Sequence, residues 1–215
     1  MSATAGSTPR LGRVGAWMGI VFAPLFIVGT FISPSPKDSS STQEWARLFT
    51  SSSHRTAAIV GAYLAVFGLL AFLWFASRLR SRLGDGGGMM LTFGSVFAAL
   101  GMVANLVFAA IAGAKAFTSA PVPPGAFAQQ FNSLGGGILV VPGALAAGVF
   151  VAIASYLSRR EGALPGWLTI AGYVVAVLQL AAVVFIPLLL VPIWVLVVSI
   201  VMLRREAGTG AAAST

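Results

Sequence analysis

The sequence predicts an all-α, polytopic integral membrane bundle with six transmembrane helices and both termini in the cytoplasm. Three observations carry that prediction. First, the 215-residue chain is 58% hydrophobic and 8% charged, whereas ordinary soluble domains carry about 25% charged residues. Water cannot solvate such a surface; lipid can. Second, the charges sit in short clusters that punctuate long uncharged intervals. Third, the basic residues divide unevenly between the two sides once those intervals are counted as spans, as cytoplasmic loops require.

A helix needs about 20 apolar residues to cross the hydrocarbon. The uncharged intervals are 14–36, 56–77, 86–114, 116–158 and 162–203. The first three fit one span each, at about 14–34, 56–77 and 89–114. Span one follows Arg10 and Arg13 as a signal peptide would, but its run is longer than a usual h-region and no A-x-A site follows, which favours a retained span. The fourth interval opens with "AFTSAPVPPGAFAQQFNSL". Pro121, Pro123 and Pro124 break any helix there, which leaves a loop-like stretch and one span at about 136–157. The fifth interval is too long for one helix, and Pro187 marks a turn between spans at about 165–184 and 186–203. The transmembrane domain is thus 14–204, flanked by small-residue cytoplasmic tails at 1–13 and 205–215.

Charge tests the count. Six spans place Arg10, Arg13, Arg78, Arg80, Arg82, Arg159, Arg160, Arg204 and Arg205 inside, and only Lys37, Arg47, Arg55 and Lys115 outside. Five spans would put Arg204 and Arg205 on the wrong side. The net charge of +8 is spread among these clusters rather than gathered on one face, so no nucleic-acid partner is expected.

Composition removes most chemistry. There is no cysteine and one histidine, His54, and only five acids occur in the chain. Disulfides, thiol catalysis and cysteine-held metal centres are excluded, and no metal site or cofactor is expected. The turn "RLRSRLGDGGGMM" is rich in glycine, with Gly86, Gly87 and Gly88 free to take positive φ. It lacks the spacing of a phosphate loop and follows no strand, so it is read as a turn. Its arginines suit anionic lipid.

The first outer loop carries a helix signature. Ser41-Thr42-Gln43-Glu44 fits a capping box, and Trp45, Leu48 and Phe49 share one face. A short amphipathic helix is expected, lying in the interface with Trp45 at headgroup depth. A Pro-rich outer loop with Phe117, Phe127 and Phe131 stands near the same mouth.

No Asp, Glu, Lys, Arg or His falls inside an expected span, which argues against proton-coupled transport. The polar groups that remain lie on stripes of small residues. Span three aligns Gly94, Ala98, Gly101, Asn105, Ala109 and Ala112; span five aligns Gly172, Ala176 and Gln179; span two offers Gly61, Ala65 and Gly68, with Tyr63 nearby. Such stripes let helices approach closely in lipid. Tyr63, Asn105 and Gln179 all fall in the outer half at 1.5 Å per residue. They mark a candidate polar pocket, with simple helix-to-helix hydrogen bonding as the alternative. His54 and Arg55, at the outer start of span two beside Ser51, Ser52 and Ser53, mark a candidate headgroup or anion site. The alternative there is a snorkelling anchor with no ligand.

The run from Arg55 through "AYLAVFGLLAFLWFASRLRSRL", with Ala/Gly/Val-rich spans around it, resembles uncharacterised small polytopic membrane proteins of actinobacteria. The resemblance implies a bacterial plasma membrane and assigns no functional residue. The expected role is a non-enzymatic accessory, scaffold or lipid-interacting component. Its expected partners are membrane lipids and a further copy of the chain or another membrane protein. A permease for a small solute or amphiphile is the alternative, and a lipid-modifying enzyme with His54 as base is the third reading.

Overall fold

A computed structural model of the chain describes residues 9–32, 41–118, 121–184 and 186–212. The described residues form eight α-helices and no strand. They are α1 (Pro9–Ile32), α2 (Thr42–Thr50), α3 (Ser52–Arg80), α4 (Gly87–Thr118), α5 (Gly125–Ile138), α6 (Ala144–Arg160), α7 (Gly166–Leu178) and α8 (Leu190–Ala212). Short 3-10 segments cover Gly84–Gly86, Gln179–Val184 and Ile186–Leu189, and a π-turn at Leu139–Gly143 joins α5 to α6.

Five stretches are long and apolar enough to cross a bilayer: Val14–Ile32, Ser52–Arg80, Gly87–Thr118, Gly125–Arg160 and Ile186–Glu206. A sixth, Gly166–Ala182, is apolar but shorter. The span expected at 165–184 is therefore a 13-residue α-helix that loosens into 3-10 turns before Pro187. The stretch expected as loop ahead of residue 136 is helical from Gly125 onward. Pro124 occupies the cap position, where a missing N–H breaks no helical bond, so the prolines start the helix rather than delay it. Pro142 falls inside the same long helix. The π-turn accommodates it, with the Ala144 N–H reaching back five residues to the Leu139 carbonyl instead of the usual four.

Small residues set the packing. A Cβ at Gly29 would lie 2.7 Å from the Gly61 carbonyl oxygen, and one at Gly61 would lie 2.6 Å from the Gly29 carbonyl oxygen. α1 and α3 therefore cross backbone to backbone, an approach open only to glycine. Along α4, Gly94, Ala98, Gly101, Asn105, Ala109 and Ala112 are all buried; a Cβ at Gly94 would meet the Phe150 ring and one at Gly101 the Leu69 side chain. Gly148 of α6 faces Gln179 and the Ala176 carbonyl, and Gly172 of α7 faces Ser155.

The core between these helices is aromatic. Phe72 lies at its centre, with ring centroids 5.1 Å from Phe22, 5.3 Å from Phe97 and 5.0 Å from Phe150. The last two contacts are edge-to-face, the arrangement that ring quadrupoles favour. Trp194 of α8 extends the cluster against Phe150 at 6.4 Å. The outside is equally apolar: Trp17, Phe31, Phe67, Trp74, Leu106, Trp167 and Leu180 are each more than half exposed. An apolar surface so extensive fits lipid as its solvent.

Arginines gather at one end of the bundle. Arg78 and Arg80 end α3 and Arg82 follows it, Arg159 and Arg160 end α6, and Arg204 and Arg205 lie in the second half of α8. The turns there use glycine differently from the sequence expectation. Positive φ occurs at Gly84 and Gly162, both +63°, whereas Gly87 is right-handed with φ −64°. Gly87 is needed for closeness instead, since a Cβ there would lie 2.9 Å from the Arg80 carbonyl oxygen.

Candidate functional site

The half of the bundle away from that arginine cluster carries a groove of about 450 Å³ between α3 and α4. Ile59, Ala62, Tyr63 and Val66 form one wall; Met102, Leu106, Ala109, Ala110, Gly113, Ala114 and Phe117 form the other. The floor is shallow because alanine and glycine leave room. The rims are tall because Tyr63, Leu106 and Phe117 stand out at 56, 59 and 74% exposure. Tyr63 stacks on Phe67, one turn along the same helix, at 6.5 Å. Its hydroxyl is the only polar side-chain group in the lining.

The candidate polar residues take three separate positions. Tyr63 lines the groove. Asn105 is buried outside the lining, although its helical neighbours Met102 and Ala109 belong to it, and donates Nδ2–H to the Gly101 carbonyl of its own helix at 2.8 Å. Gln179 is buried beside α6 and donates Nε2–H to the Pro187 carbonyl at 2.7 Å, bridging the 3-10 segments between α7 and α8. Gln179 Oε1 is buried without a hydrogen-bond partner among the described residues. Neither amide faces the outside, which unpaired donors would make costly in hydrocarbon. Of the three, only Tyr63 lines this groove.

The far end of the bundle is closed by α2. Ser41 caps it, accepting the Glu44 N–H at 3.3 Å. Trp45 faces the bundle. It is 2% exposed and packs with Phe49 on Ala58, Ile111, Ala112 and Ala128, the ends of α3, α4 and α5. An amphipathic helix buries its apolar face wherever one is available, and here the bundle supplies it. Gly125 permits the contact, because a Cβ there would overlap the Thr42 carbonyl. Ile59 belongs both to this cluster and to the groove, so α2 stands at the groove's end.

Arg55 is committed to that closure. Its Nη1 donates to the Phe49 and Thr50 carbonyls, each at 2.8 Å, neutralising the carbonyl end of α2. His54 is exposed beside it, and Ser51 Oγ pairs with Ser53 Oγ at 2.9 Å. The guanidinium thus serves as a helix cap. Lys115, in the last turn of α4, is partly exposed and has no ion pair among the described residues.

The basic end is tied together internally. Glu206 of α8 receives Arg82 in a short ion pair and lies 3.5 Å from Arg78. Burial pushes the Arg82 guanidinium below the usual arginine range; Glu206 opposes this, and Arg78 and Arg205 add to it. Arg205 donates to the Gly162 and Ala163 carbonyls at 3.2 and 2.8 Å.

Sequence reasoning looked for polarity and so passed over Met102, Leu106 and Gly113, and it read Phe117 as part of a loop rather than of α4. The available signal was a line of small residues, Ala109, Ala110, Gly113 and Ala114, bordered by Leu106 and Phe117. Among the described residues no cluster of three or more acidic or histidine side chains could hold a metal. Comparison with protein-family models, curated proteins and solved structures gives no match to this chain.

Proposed function

We propose that the chain is a non-enzymatic, lipid-interacting component of a bacterial plasma membrane. It spans the bilayer six times with both termini cytoplasmic and acts as an accessory or scaffold within it. The observation that carries the reading is the α3/α4 groove: a built, apolar recess on a surface whose natural solvent is hydrocarbon. Binding sites of about 300–1,000 Å³ suit small ligands, and in this position acyl chains are the abundant ones. Gentle extraction followed by native mass spectrometry tests it. A lipid retained in fixed stoichiometry is the expected result, and protein free of lipid under conditions that preserve the fold would overturn it.

One observation favours a second reading, a permease for a small solute or amphiphile. The π-turn at Leu139–Gly143 touches the 3-10 segment at Gln179–Val184, so two interrupted helices meet. Interrupted helices form the binding sites of many transporters. Flux of a tested solute into proteoliposomes would move the conclusion to this reading.

A further inference from the structure

We infer that Arg159 and Arg204 hold the phosphate headgroups of anionic glycerophospholipids, each at the end of a lipid-facing helix edge. The inference rests on the lipid-interacting reading above and names the lipid class and where it is held. Most arginines at this end are already engaged within the protein. Arg78 and Arg82 turn to Glu206, Arg160 pairs with Glu161 at 2.8 Å, and Arg205 donates to the Gly162 and Ala163 carbonyls. Arg159 and Arg204 are exposed and make no ion pair or hydrogen bond among the described residues. The two acids whose side chains are described there, Glu161 and Glu206, are both taken. Positive charge is therefore left over at these two positions.

Their places on the helices say what meets that charge. On α6, Leu145, Val149 and Tyr156 are exposed along one line, and Arg159 continues it one turn beyond Tyr156. On α8, Ile193 and Ile200 are exposed along one line, and Arg204 continues it one turn beyond Ile200. An acyl chain lying on either apolar edge brings its phosphate to the arginine at the edge's end. Tyr156, and Trp167 in the first turn of α7, are exposed at this end, as aromatic side chains are where hydrocarbon gives way to headgroups. A guanidinium fork fits a phosphate in two parallel hydrogen bonds. The α3 edge differs. Its exposed line of Tyr63, Phe67, Leu70 and Trp74 runs on to the exposed Ser77 and Ser81, and Arg78 beside them is turned to Glu206. The headgroup preference thus belongs to the α6 and α8 edges.

The full-length protein is reconstituted in vesicles of equal phosphatidylglycerol and phosphatidylethanolamine, extracted gently, and its retained headgroups are counted by native mass spectrometry. Wild type should keep phosphatidylglycerol in excess. Arg159→Gln and Arg204→Gln should each lower that excess about fivefold, the equivalent of one cation at about 1 kcal/mol, and the double variant should lower it by the product. Lysine at both positions should keep most of the excess, because the charge remains. Arg80→Gln is the control: Arg80 is exposed at the same end, but its stem packs on Gly87 instead of continuing the Trp74 line, and the excess should be unchanged.

An equal loss in Arg80→Gln would reduce the effect to the diffuse charge of this end and overturn the two edges. A wild type that retains lipid without an excess of phosphatidylglycerol would overturn the headgroup assignment and leave the lipid-interacting reading standing. No retained lipid at all would overturn both. Nuclease-sensitive nucleic acid carried by wild type and lost from the double variant would give these arginines another partner and also overturn the headgroups.

Discussion

Arg55 has a measurable task that its sequence position disguised. Its two hydrogen bonds end α2, and charged donors to carbonyls are worth about 1.5–3 kcal/mol when buried and less when partly exposed. Arg55→Ala should lower stability by about 1.5 kcal/mol or less, read as a lowered thermal midpoint in detergent, and open the 50–52 junction to protease. His54→Ala should leave both within error. Gln179 gives a contrasting case. Gln179→Leu loses the Pro187 bond but also removes the unpaired Oε1, so its stability cost should stay below about 1.5 kcal/mol. Gln179→Ala adds a void against Gly148 and should cost more; a reversed order would show that the amide's packing is unimportant. Residue type alone showed that Asn105 and Gln179 would avoid lipid. It could not show which partner each amide takes, because an i−4 carbonyl and a neighbouring helix satisfy the same donor.

Among the elements, the crossing of α1 and α3 is the most exacting. Gly29→Ala directs a methyl at backbone atoms of α3, which cannot rotate away as a side chain would. The helices must separate, and the loss should exceed the roughly 1–3 kcal/mol usual for overpacking. Thermal unfolding would register it, whereas Gly88→Ala, with open space around it, should be close to neutral. Ser41→Ala should cost about 1 kcal/mol through the lost cap of α2, read as faster proteolysis near residue 41. Most elements were legible because lipid imposes long apolar runs and small-residue stripes. The exceptions have local physical causes. Pro124 could equally end a loop or begin a helix, and the weakening of α7 after Leu178 comes from Gln179 binding forward to Pro187. The apolar face of α2 was legible, but not its cover, because an amphipathic face looks the same whether lipid or protein will cover it.

For the molecule as a whole, the proposed orientation makes a direct statement. A tag after Thr215 should be unreachable from outside intact cells and become reachable only after permeabilisation; outside access would remove the six-span proposal. The groove was invisible in the sequence for a reason that operates at this scale. Its two walls, at 59–66 and 102–117, are far apart in the chain, and its floor consists of residues that signify packing everywhere else in the protein.

Helix length has one more consequence. Gly125–Arg160, 36 residues, runs about 54 Å at 1.5 Å per residue, while Gly166–Ala182 reaches about 26 Å. The hydrocarbon layer between them and the water is about 30 Å thick. In the proposed topology the long helix can dispose of its surplus where α5 packs against α2, outside the hydrocarbon. The short one has nothing comparable, and its neighbouring lipids must draw in or its end must sink. Mismatch costs fractions of a kcal/mol per Å, and here it falls on one flank only. The protein should therefore sit as a wedge that thins the bilayer beside α7, and in long-chain vesicles those thin flanks should draw together. Clustering that rises with acyl-chain length, and disappears in short-chain vesicles, would be the sign of it.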